Sequence, residues 1–350
     1  MLAVLVAAAV LLVVTVPDRD GDDGNGRASS AATPRGDAAA IAAKLVTAPG
    51  AHVWQLAAGR DGSRVAVWNS GAAYALAIDT ADGSTHREPV PRPDVLVAVP
   101  GGYLLGNPEG EEGLRVVTAD GASTPVALNH DAVEPEPGDL VFYLQDGLVL
   151  YRPRDTAVHD LPVLPRGELS AGWVTPDGVL VGTTYDAARR GVTRAVRRDG
   201  RWELTRLAGA RTLTGAVVGY GDRVAIVVVG STSPTQPVEL VSVTDDGGRT
   251  WQDVPAAVRT LRTLGSAAMA DDGTLLLTSA GGARVVRISP SGELRRLTGV
   301  PPLVLRANAG ARIWAVDARS QSERLYSSGD LGETWQRTPF PGLPPCGRQR

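Results

Sequence analysis

The polar segments with the greatest capacity for ligand chemistry lie between short apolar runs of the chain. One of them is Tyr185-Asp186-Ala187-Ala188-Arg189-Arg190, in which an aromatic side chain stands beside two guanidinium groups. Arginine pairs with carboxylates and stacks on aromatic faces, so this combination suits a carbohydrate or an acidic ligand. The alternative interpretation is an ordinary solvated loop.

A second polar segment, Glu109-Gly110-Glu111-Glu112, concentrates carboxylates. Carboxylate oxygens are the ligands that Ca²⁺ prefers, but the segment lacks the alternating acidic order of an EF-hand loop. We therefore expect a solvated loop and keep Glu109 and Glu111 only as candidates for ligand binding.

Two further pairs of side chains complete the candidates. Trp68, followed by Tyr74, and Asp317 with Arg319 each end or follow a strand-like apolar run. Loops carried on a rigid scaffold commonly hold binding residues, so all these side chains are expected to converge on one face of the domain.

Several other kinds of site have no support in the sequence. The four histidines are far apart and lack metal-ligand spacing, and the single cysteine, Cys346, has no partner. Neither a Gly-x-Ser-x-Gly elbow nor a P-loop occurs. A net charge of -3 and a single lysine, Lys44, leave no basic field for nucleic acid. The sequence therefore predicts no metal, no cofactor, no nucleic-acid partner and no catalytic residue.

The strongest motif occurs twice, as VTDDGGRTW and SSGDLGETW, with the two tryptophans 84 residues apart. The aspartate can accept backbone N–H groups of a turn, the glycine permits a positive φ, and the tryptophan can wedge against a neighbouring sheet. Both copies fit Ser/Thr-x-Asp-x-Gly-x-Thr-Trp. The matching residues are Thr244, Asp246, Gly248, Thr250 and Trp251 in the first copy and Ser328, Asp330, Gly332, Thr334 and Trp335 in the second.

This pattern resembles the Asp box of sialidase-like β-propellers with BNR repeats, where it joins the third and fourth strands of a blade and is structural. The resemblance implies a fold rather than an activity. Retaining sialidases also use a Tyr nucleophile backed by Glu, an Asp acid/base and three Arg residues, the first in a Phe/Tyr-Arg-Ile-Pro string. No such string occurs here; Ala311-Arg312-Ile313-Trp314 lacks the proline and alternates like a strand.

A turn followed by a Val- or Leu-rich run recurs along the chain. Its glycines have a mean spacing of about 41 residues, the length of a four-stranded blade. The markers are Gly62, Gly102, Gly147, Gly178, Gly221, Gly273 and Gly310. We therefore predict an all-β fold, a single seven-bladed propeller of four-stranded antiparallel blades. The expected blades are 50–92, 93–131, 132–166, 167–210, 211–257, 258–299 and 300–341.

The N-terminal residues 1–16 (MLAVLVAAAVLLVVTV) are apolar or threonine. This length is slightly short of the roughly 20 residues of a spanning helix and also suits the core of a signal peptide. We favour an uncleaved membrane anchor, with secretion after cleavage as the alternative. The remaining domain predictions are a disordered Gly/Ala/Ser-rich linker over 17–45, the propeller over 46–343 and a polar tail over 344–350.

The leading functional hypothesis is a membrane-tethered, extracytoplasmic propeller that acts as a non-catalytic binding or assembly scaffold for a glycan or an envelope protein. The alternative is a divergent sialidase-like glycoside hydrolase. Paired carboxyl groups beside a Tyr and several Arg residues at one concave mouth would favour the hydrolase.

Overall fold

The computed structural model describes residues 35–144, 147–186, 191–207, 212–230, 237–255, 261, 263–319 and 324–343. The apolar segment 1–16, residues 17–34 of the predicted linker and the tail 344–350 lie outside this part of the chain. Within the described ranges, no helix has the length and apolar character needed to cross a membrane.

The described residues form β-strands joined by short turns, with a helix before the first strand, so the predicted all-β class is confirmed for the domain. The elements are α1 (Arg35–Thr47), β1 (His52–Ala58), β2 (Arg64–Ser70), β3 (Ala73–Asp79), β4 (Thr85–Val90), β5 (Val95–Val99), β6 (Gly102–Gly106), β7 (Leu114–Val117), β8 (Ser123–Ala132), β9 (Leu140–Leu144), β10 (Gly147–Arg152), β11 (Ala157–Asp160), β12 (Leu169–Val174), β13 (Leu180–Asp186), β14 (Gly191–Arg198), β15 (Arg201–Arg206), β16 (Thr212–Tyr220), β17 (Arg223–Gly230), β18 (Val238–Thr244), β19 (Gln252–Pro255), β20 (Leu264–Met269), β21 (Leu275–Ser279), β22 (Val285–Ile288), β23 (Leu294–Leu297), β24 (Leu303–Ala309), β25 (Arg312–Asp317), β26 (Leu325–Ser328) and β27 (Gln336–Thr338), with a short 3-10 helix at Ala280–Gly282.

Most strands pair antiparallel with their neighbours in sequence and form four-stranded sheets. These are sheet 1 (β1–β4), sheet 3 (β12–β15), sheet 4 (β16–β19), sheet 5 (β20–β23) and sheet 6 (β24–β27); sheet 2 contains β5–β11. Strands such as β17, RVAIVVVG, are buried along nearly their whole length, because both faces pack against other sheets. The outermost β15, RWELTR, is mostly exposed, and its charges protect an open edge.

Sheet 2 departs from this pattern because β8 pairs with strands on both sides. Residues 123–126 pair antiparallel with β7, and residues 127–132 pair parallel with β11. The expectation of four strands within 132–166 is therefore wrong, since the described residues there supply β9, β10 and β11 and share β8 with the preceding unit. Residues 161–168 form no strand, and Pro162 and Pro165 cannot donate to a ladder.

The first strands of the successive units meet one another around the molecule. In order, β1 contacts β5, β5 contacts β9, β9 contacts β12, and the series continues through β16 and β20 to β24. Because β24 also contacts β1, the series is closed. The sheets therefore surround a common axis, and the apolar core is divided into layers between them.

A buried tyrosine links sheets 1 and 2. Tyr103 on β6 is 1% exposed. Its hydroxyl lies 2.6 Å from Ser63 Oγ and accepts a hydrogen bond from Gly59 N at 3.1 Å. Burial raises the pKa of Tyr103 to about 12, above the ordinary value of 10.0. The β1–β2 turn is thereby fixed to the neighbouring sheet.

Replacing Tyr103 with phenylalanine should make the protein less sensitive to alkali. A raised pKa means that the neutral phenol stabilises the fold fully below pH 10, and that this contribution is lost as the pH rises towards 12. We expect urea titrations to show a difference of about 2 kcal/mol in this alkaline loss between wild type and Tyr103→Phe. At neutral pH the variant should be less stable by about 1 kcal/mol, because the hydrogen bonds of the hydroxyl with Ser63 Oγ and Gly59 N are lost. Tyr220→Phe is the control, and equal alkaline losses in wild type and Tyr103→Phe would contradict the prediction.

Helix α1 spans residues 35–45 of the predicted disordered linker and the first two residues of the predicted propeller. Its sequence, RGDAAAIAAKLVT, is rich in alanine, with Asp37 in the first turn and Lys44 in the last, as the helix dipole favours. Ala42 and Val46 lie one turn apart, are buried, and pack into a core that includes sheet 1 and sheet 6. The linker prediction therefore does not hold for the residues of α1, where alanine promotes a helix once an apolar face has a partner.

The C-terminal segment 339–343, here the closing segment, completes the ring by packing on sheet 1. Arg64 donates to the carbonyl of Pro339 at 3.1 Å, and Arg87 donates to that of Gly342 at 2.7 Å. Gly342 N in turn donates to Asp79 Oδ1 at 3.1 Å. Within the described residues, sheets 1 and 6 exchange no strand, and these contacts together with α1 join the two ends of the domain.

Candidate functional site

The strand connections divide the domain into two faces. Within each four-stranded sheet, the first-to-second and third-to-fourth turns lie at one end, because successive antiparallel strands reverse direction; we call this end the turn face. The second-to-third loops and the links between sheets lie at the opposite end, the loop face. Among the described residues, the predicted ligand residues Glu109 and Glu111 lie in a loop-face connection, and Tyr185, Asp186, Asp317 and Arg319 lie at or just beyond the loop-face ends of β13 and β25.

The acidic loop between β6 and β7 is exposed and makes few contacts. Glu109 N donates to Asn107 Oδ1 at 2.8 Å within the turn, and Glu112 lies 3.9 Å from Arg115. In the described part of the chain, the side chains of Glu109 and Glu111 are exposed and make no contact with another sheet. The structure therefore places them on the loop face without joining them to the other candidates.

Tyr185 and Asp186 are the last residues of β13, where they pair with Val192 and Gly191 of β14. Tyr185 is partly exposed. Arg189 and Arg190 lie outside the described residues. The proposed combination of an aromatic ring and two arginines at this loop stays a prediction.

Asp317 and Arg319 are close together, but Asp317 is only 6% exposed. Its Oδ1 accepts a hydrogen bond from Arg319 N at 2.9 Å, and its Oδ2 lies 3.7 Å from Arg324. These contacts hold the end of β25 in place. Asp317 is therefore a turn-forming residue here, while the Arg319 side chain is exposed.

The side chain of Trp68 is not available for ligand binding on the loop face. It is 3% exposed, packs edge-on against Phe340 with ring centroids 5.8 Å apart, and donates from Nε1 to the Pro341 carbonyl at 2.9 Å. It is thus a core residue that holds the closing segment. Sequence periodicity identified it as part of a strand but did not reveal a partner more than 270 positions away.

Bulges in the innermost strands were not predicted from the sequence. The extra residue is Trp54 in β1, Ser170 in β12, Leu213 in β16, Gly265 in β20 and Arg306 in β24. The first four each precede the glycine of the following turn by eight residues (54 and 62, 170 and 178, 213 and 221, 265 and 273). Bulges re-aim side chains and are common at barrel rims and beside functional sites. The first four lie within the first three residues of their strands, at the loop-face end.

The bulge at Trp54 supports an aromatic and cationic cluster that the sequence analysis missed in part. The rings of Trp54 and Tyr74 meet edge-on with centroids 6.2 Å apart, and the Arg92 guanidinium lies 5.4 Å from the Trp54 ring centre. Trp54 and Tyr74 are partly exposed, and Arg92 is exposed. We call these three residues the Trp54 cluster. The sequence signal for it is a tryptophan within the short strand HVWQLAA.

Two buried polar atoms at the same bulge have no hydrogen-bond partner among the described residues: Trp54 Nε1 and Gln55 Oε1. The amide nitrogen of Gln55 is used, since it donates to the Asp94 carbonyl at 3.1 Å in the link to sheet 2. Buried polar groups are nearly always paired, so this position has hydrogen-bonding capacity that the described fold does not use.

The two nine-residue motifs form closely similar turns on the turn face, and we call 244–251 and 328–335 the box turns. Asp246 accepts from Thr250 N at 2.9 Å and from Thr250 Oγ1 at 2.6 Å. Asp330 accepts from Thr334 N at 2.9 Å and from Thr334 Oγ1 at 2.5 Å. Gly248 and Gly332 share a φ of 85°, which favours glycine.

The electrostatics of the first box turn follow from these bonds. Burial works against ionisation of Asp246, but the hydrogen bonds from Thr250, Thr244 and Arg249 outweigh it and lower the pKa to about 2. Trp251 donates from Nε1 to Gly248 O at 3.0 Å and packs beside the core of sheet 3, with Arg194 4.2 Å from its ring centre. Trp335 makes the equivalent bond to Gly332 at 2.9 Å. The box turns are therefore structural elements in this chain.

Comparisons with known proteins give the fold. No protein-family model matches the chain. No curated protein matches it. Among solved structures, the chain is similar to the β-propeller domain of the Trilobed protease from Pyrococcus furiosus, with a TM-score of 0.54 and 12% identity over 82% of this chain and 97% of that chain.

Two further similarities involve enzymes. A prolyl endopeptidase structure matches with a TM-score of 0.52 and 15% identity over 87% of this chain and 51% of that chain. Virginiamycin B lyase from Staphylococcus aureus matches with a TM-score of 0.41 and 12% identity over 85% of this chain and 86% of that chain. At such low identities the similarity concerns architecture and not activity. The chain has a β-propeller fold.

Proposed function

We propose that this chain is a seven-bladed propeller of the Asp-box kind, with sheet 2 contributing two blades, β5–β8 and β9–β11, that share β8. The closed series of seven first strands supports this count. The two box turns support the kind, because each combines the motif with the aspartate, glycine and tryptophan contacts expected of it.

Its proposed role is that of a non-catalytic binding or assembly scaffold with the ligand on the loop face. The Trp54 cluster is the observation that carries this proposal. Partly exposed aromatic rings beside a cation are typical of binding hot spots for proteins and of sugar-stacking surfaces. The unused hydrogen-bonding atoms of Trp54 and Gln55 lie at the same bulge. A glycan or an envelope protein is the proposed ligand.

Residues 1–16 are proposed to tether the ring to the membrane, with the propeller on the extracytoplasmic side. Their apolar composition supports an anchor, and a polar stretch separates them from α1. Protease added to intact cells should then digest the ring while cytoplasmic markers survive. Protection of the ring in intact cells but not in lysed cells would contradict this orientation.

The binding role can be tested with the full-length chain and two separated envelope fractions, membranes and wall glycan. Arg92→Glu should reduce retention on one fraction by about tenfold, because it reverses the charge above Trp54. Arg201→Glu is the matched control, an exposed arginine at the turn-face end of β15. Retention that is equal for wild type and both variants would contradict loop-face binding at this cluster.

The same preparations decide between binding and hydrolysis. The scaffold proposal expects wild-type protein to release no product from a fluorogenic sialoside or from a panel of other fluorogenic glycosides. Turnover that disappears when a loop-face carboxylate is replaced would favour the divergent glycoside hydrolase instead.

A further inference from the structure

A cavity of about 180 Å³ opens on the turn face between sheets 4 and 5, beside the first box turn. Its floor is aliphatic and includes Met269, Leu275 and Ile288, while Arg223 and Asp245 are among the polar residues that line it. It lies at the opposite end of the sheets from the Trp54 cluster. Ligand binding in this cavity would therefore be independent of the proposed loop-face function.

Arg223 and Asp245, two oppositely charged residues that line this cavity, lie at the ends of adjacent strands. Val224 pairs with Thr244 in the β17–β18 ladder, so Arg223 and Asp245 stand opposite each other just beyond it. Opposite charges at such positions commonly form an ion pair. Here the contacts described for Arg223 comprise a bond from its NH1 to the Asp271 carbonyl at 3.3 Å, and the exposed Asp245 carboxylate has no described partner.

We propose that this cavity binds a small zwitterion with an aliphatic side chain, of the L-amino-acid class. The ligand carboxylate would pair with Arg223, its ammonium with Asp245, and its side chain would cover Met269, Leu275 and Ile288. A cavity of about 150 Å³ can hold benzene, so the volume here suits a side chain of the size of valine or leucine. A purely anionic or purely cationic ligand would leave one of the two rim charges without a partner.

Calorimetric titration of the full-length chain in detergent with L-leucine, N-acetyl-L-leucine and L-leucinamide tests this inference. L-leucine should bind best, and Asp245→Asn and Arg223→Gln should each weaken it about tenfold. N-acetyl-L-leucine lacks the ammonium and should not be weakened by Asp245→Asn, whereas L-leucinamide lacks the carboxylate and should not be weakened by Arg223→Gln. Glu203→Gln, an exposed residue on β15, is the charge-matched control and should change nothing.

The comparison of the three ligands on wild-type protein does not depend on any variant folding. Absence of heat with about 10 mM L-leucine, a concentration that would saturate a site of about 1 mM affinity, would overturn the proposal. Equal binding of all three ligands would overturn it as well, because neither rim charge would then be recognising its partner. Either outcome leaves the loop-face function untouched.

Discussion

Replacing Trp68 with alanine should lower the free energy of unfolding by about 3–5 kcal/mol, the usual cost of removing a buried large aromatic ring. The ring is 3% exposed and belongs to a core that joins α1, sheet 1, sheet 6 and the closing segment. Its loss would open a cavity against Phe340 and leave the Pro341 carbonyl without its donor. Thermal or urea unfolding measures the change.

The matched control is Trp202→Ala, on the outermost strand β15. Trp202 also donates from Nε1 to a backbone carbonyl, that of Val163 at 2.9 Å, but it is partly exposed and packs only at the margin of a small cluster of buried side chains, Leu150, Val174 and Leu180. We expect it to cost about 1 kcal/mol. If the two tryptophans had equal effects, closure of the ring through Trp68 would not be a principal source of stability.

Replacing Asp246 with alanine should destabilise the protein by about 2 kcal/mol, because one carboxylate organises the first box turn through several charge-assisted hydrogen bonds. The donors are Thr244 Oγ1 at 2.8 Å, Arg249 N at 2.9 Å, and both the backbone and the hydroxyl of Thr250. Their loss would also loosen Trp251, which packs beside sheet 3. The partial exposure of the turn keeps the effect below that of Trp68.

Asp245→Ala is a control at the adjacent position, since the Asp245 carboxylate is exposed and has no described partner. Acid adds a second readout. The lowered pKa of Asp246 means that its contribution is present above its ordinary value of 3.8 and is lost as the pH falls towards 2. The stability difference between wild type and Asp246→Ala should therefore shrink over this range, and a constant difference would contradict the assigned role of the carboxylate.

Local patterns in the sequence were sufficient for the strands and turns. Gly62, Gly178, Gly221, Gly273 and Gly310 all have positive φ at the predicted turns, because few other residues adopt that backbone without strain. The box turns were equally local, since every bond of Asp246 joins residues at most four positions apart. The pairing of β8 with β11 is not a local feature, and no pattern in residues 123–132 predicts that a second unit will pair with them.

The site was harder to predict than the fold because burial in a ring depends on residues far apart in sequence. Trp68 and Asp317 are residue types that often occur in binding sites. In this fold, Trp68 is covered by the closing segment, and Asp317 holds the end of its own strand. Trp54, by contrast, is the extra residue of a bulge in β1 and stays partly exposed. Bulges leave no reliable mark on a single sequence, so the cluster became visible only with the register of the strands.

The most direct test of a ligand-binding loop face is photo-crosslinking in intact cells, with a photoreactive residue placed at one exposed position at a time. Ala72 and Glu111 lie on the loop face, and Ala81 and Glu293 lie on the turn face. Ligand binding at the loop face predicts adducts of the same increased mass from the two loop-face positions and none of that mass from the turn-face positions. Adducts from Ala81 and Glu293 with none from Ala72 and Glu111 would contradict it.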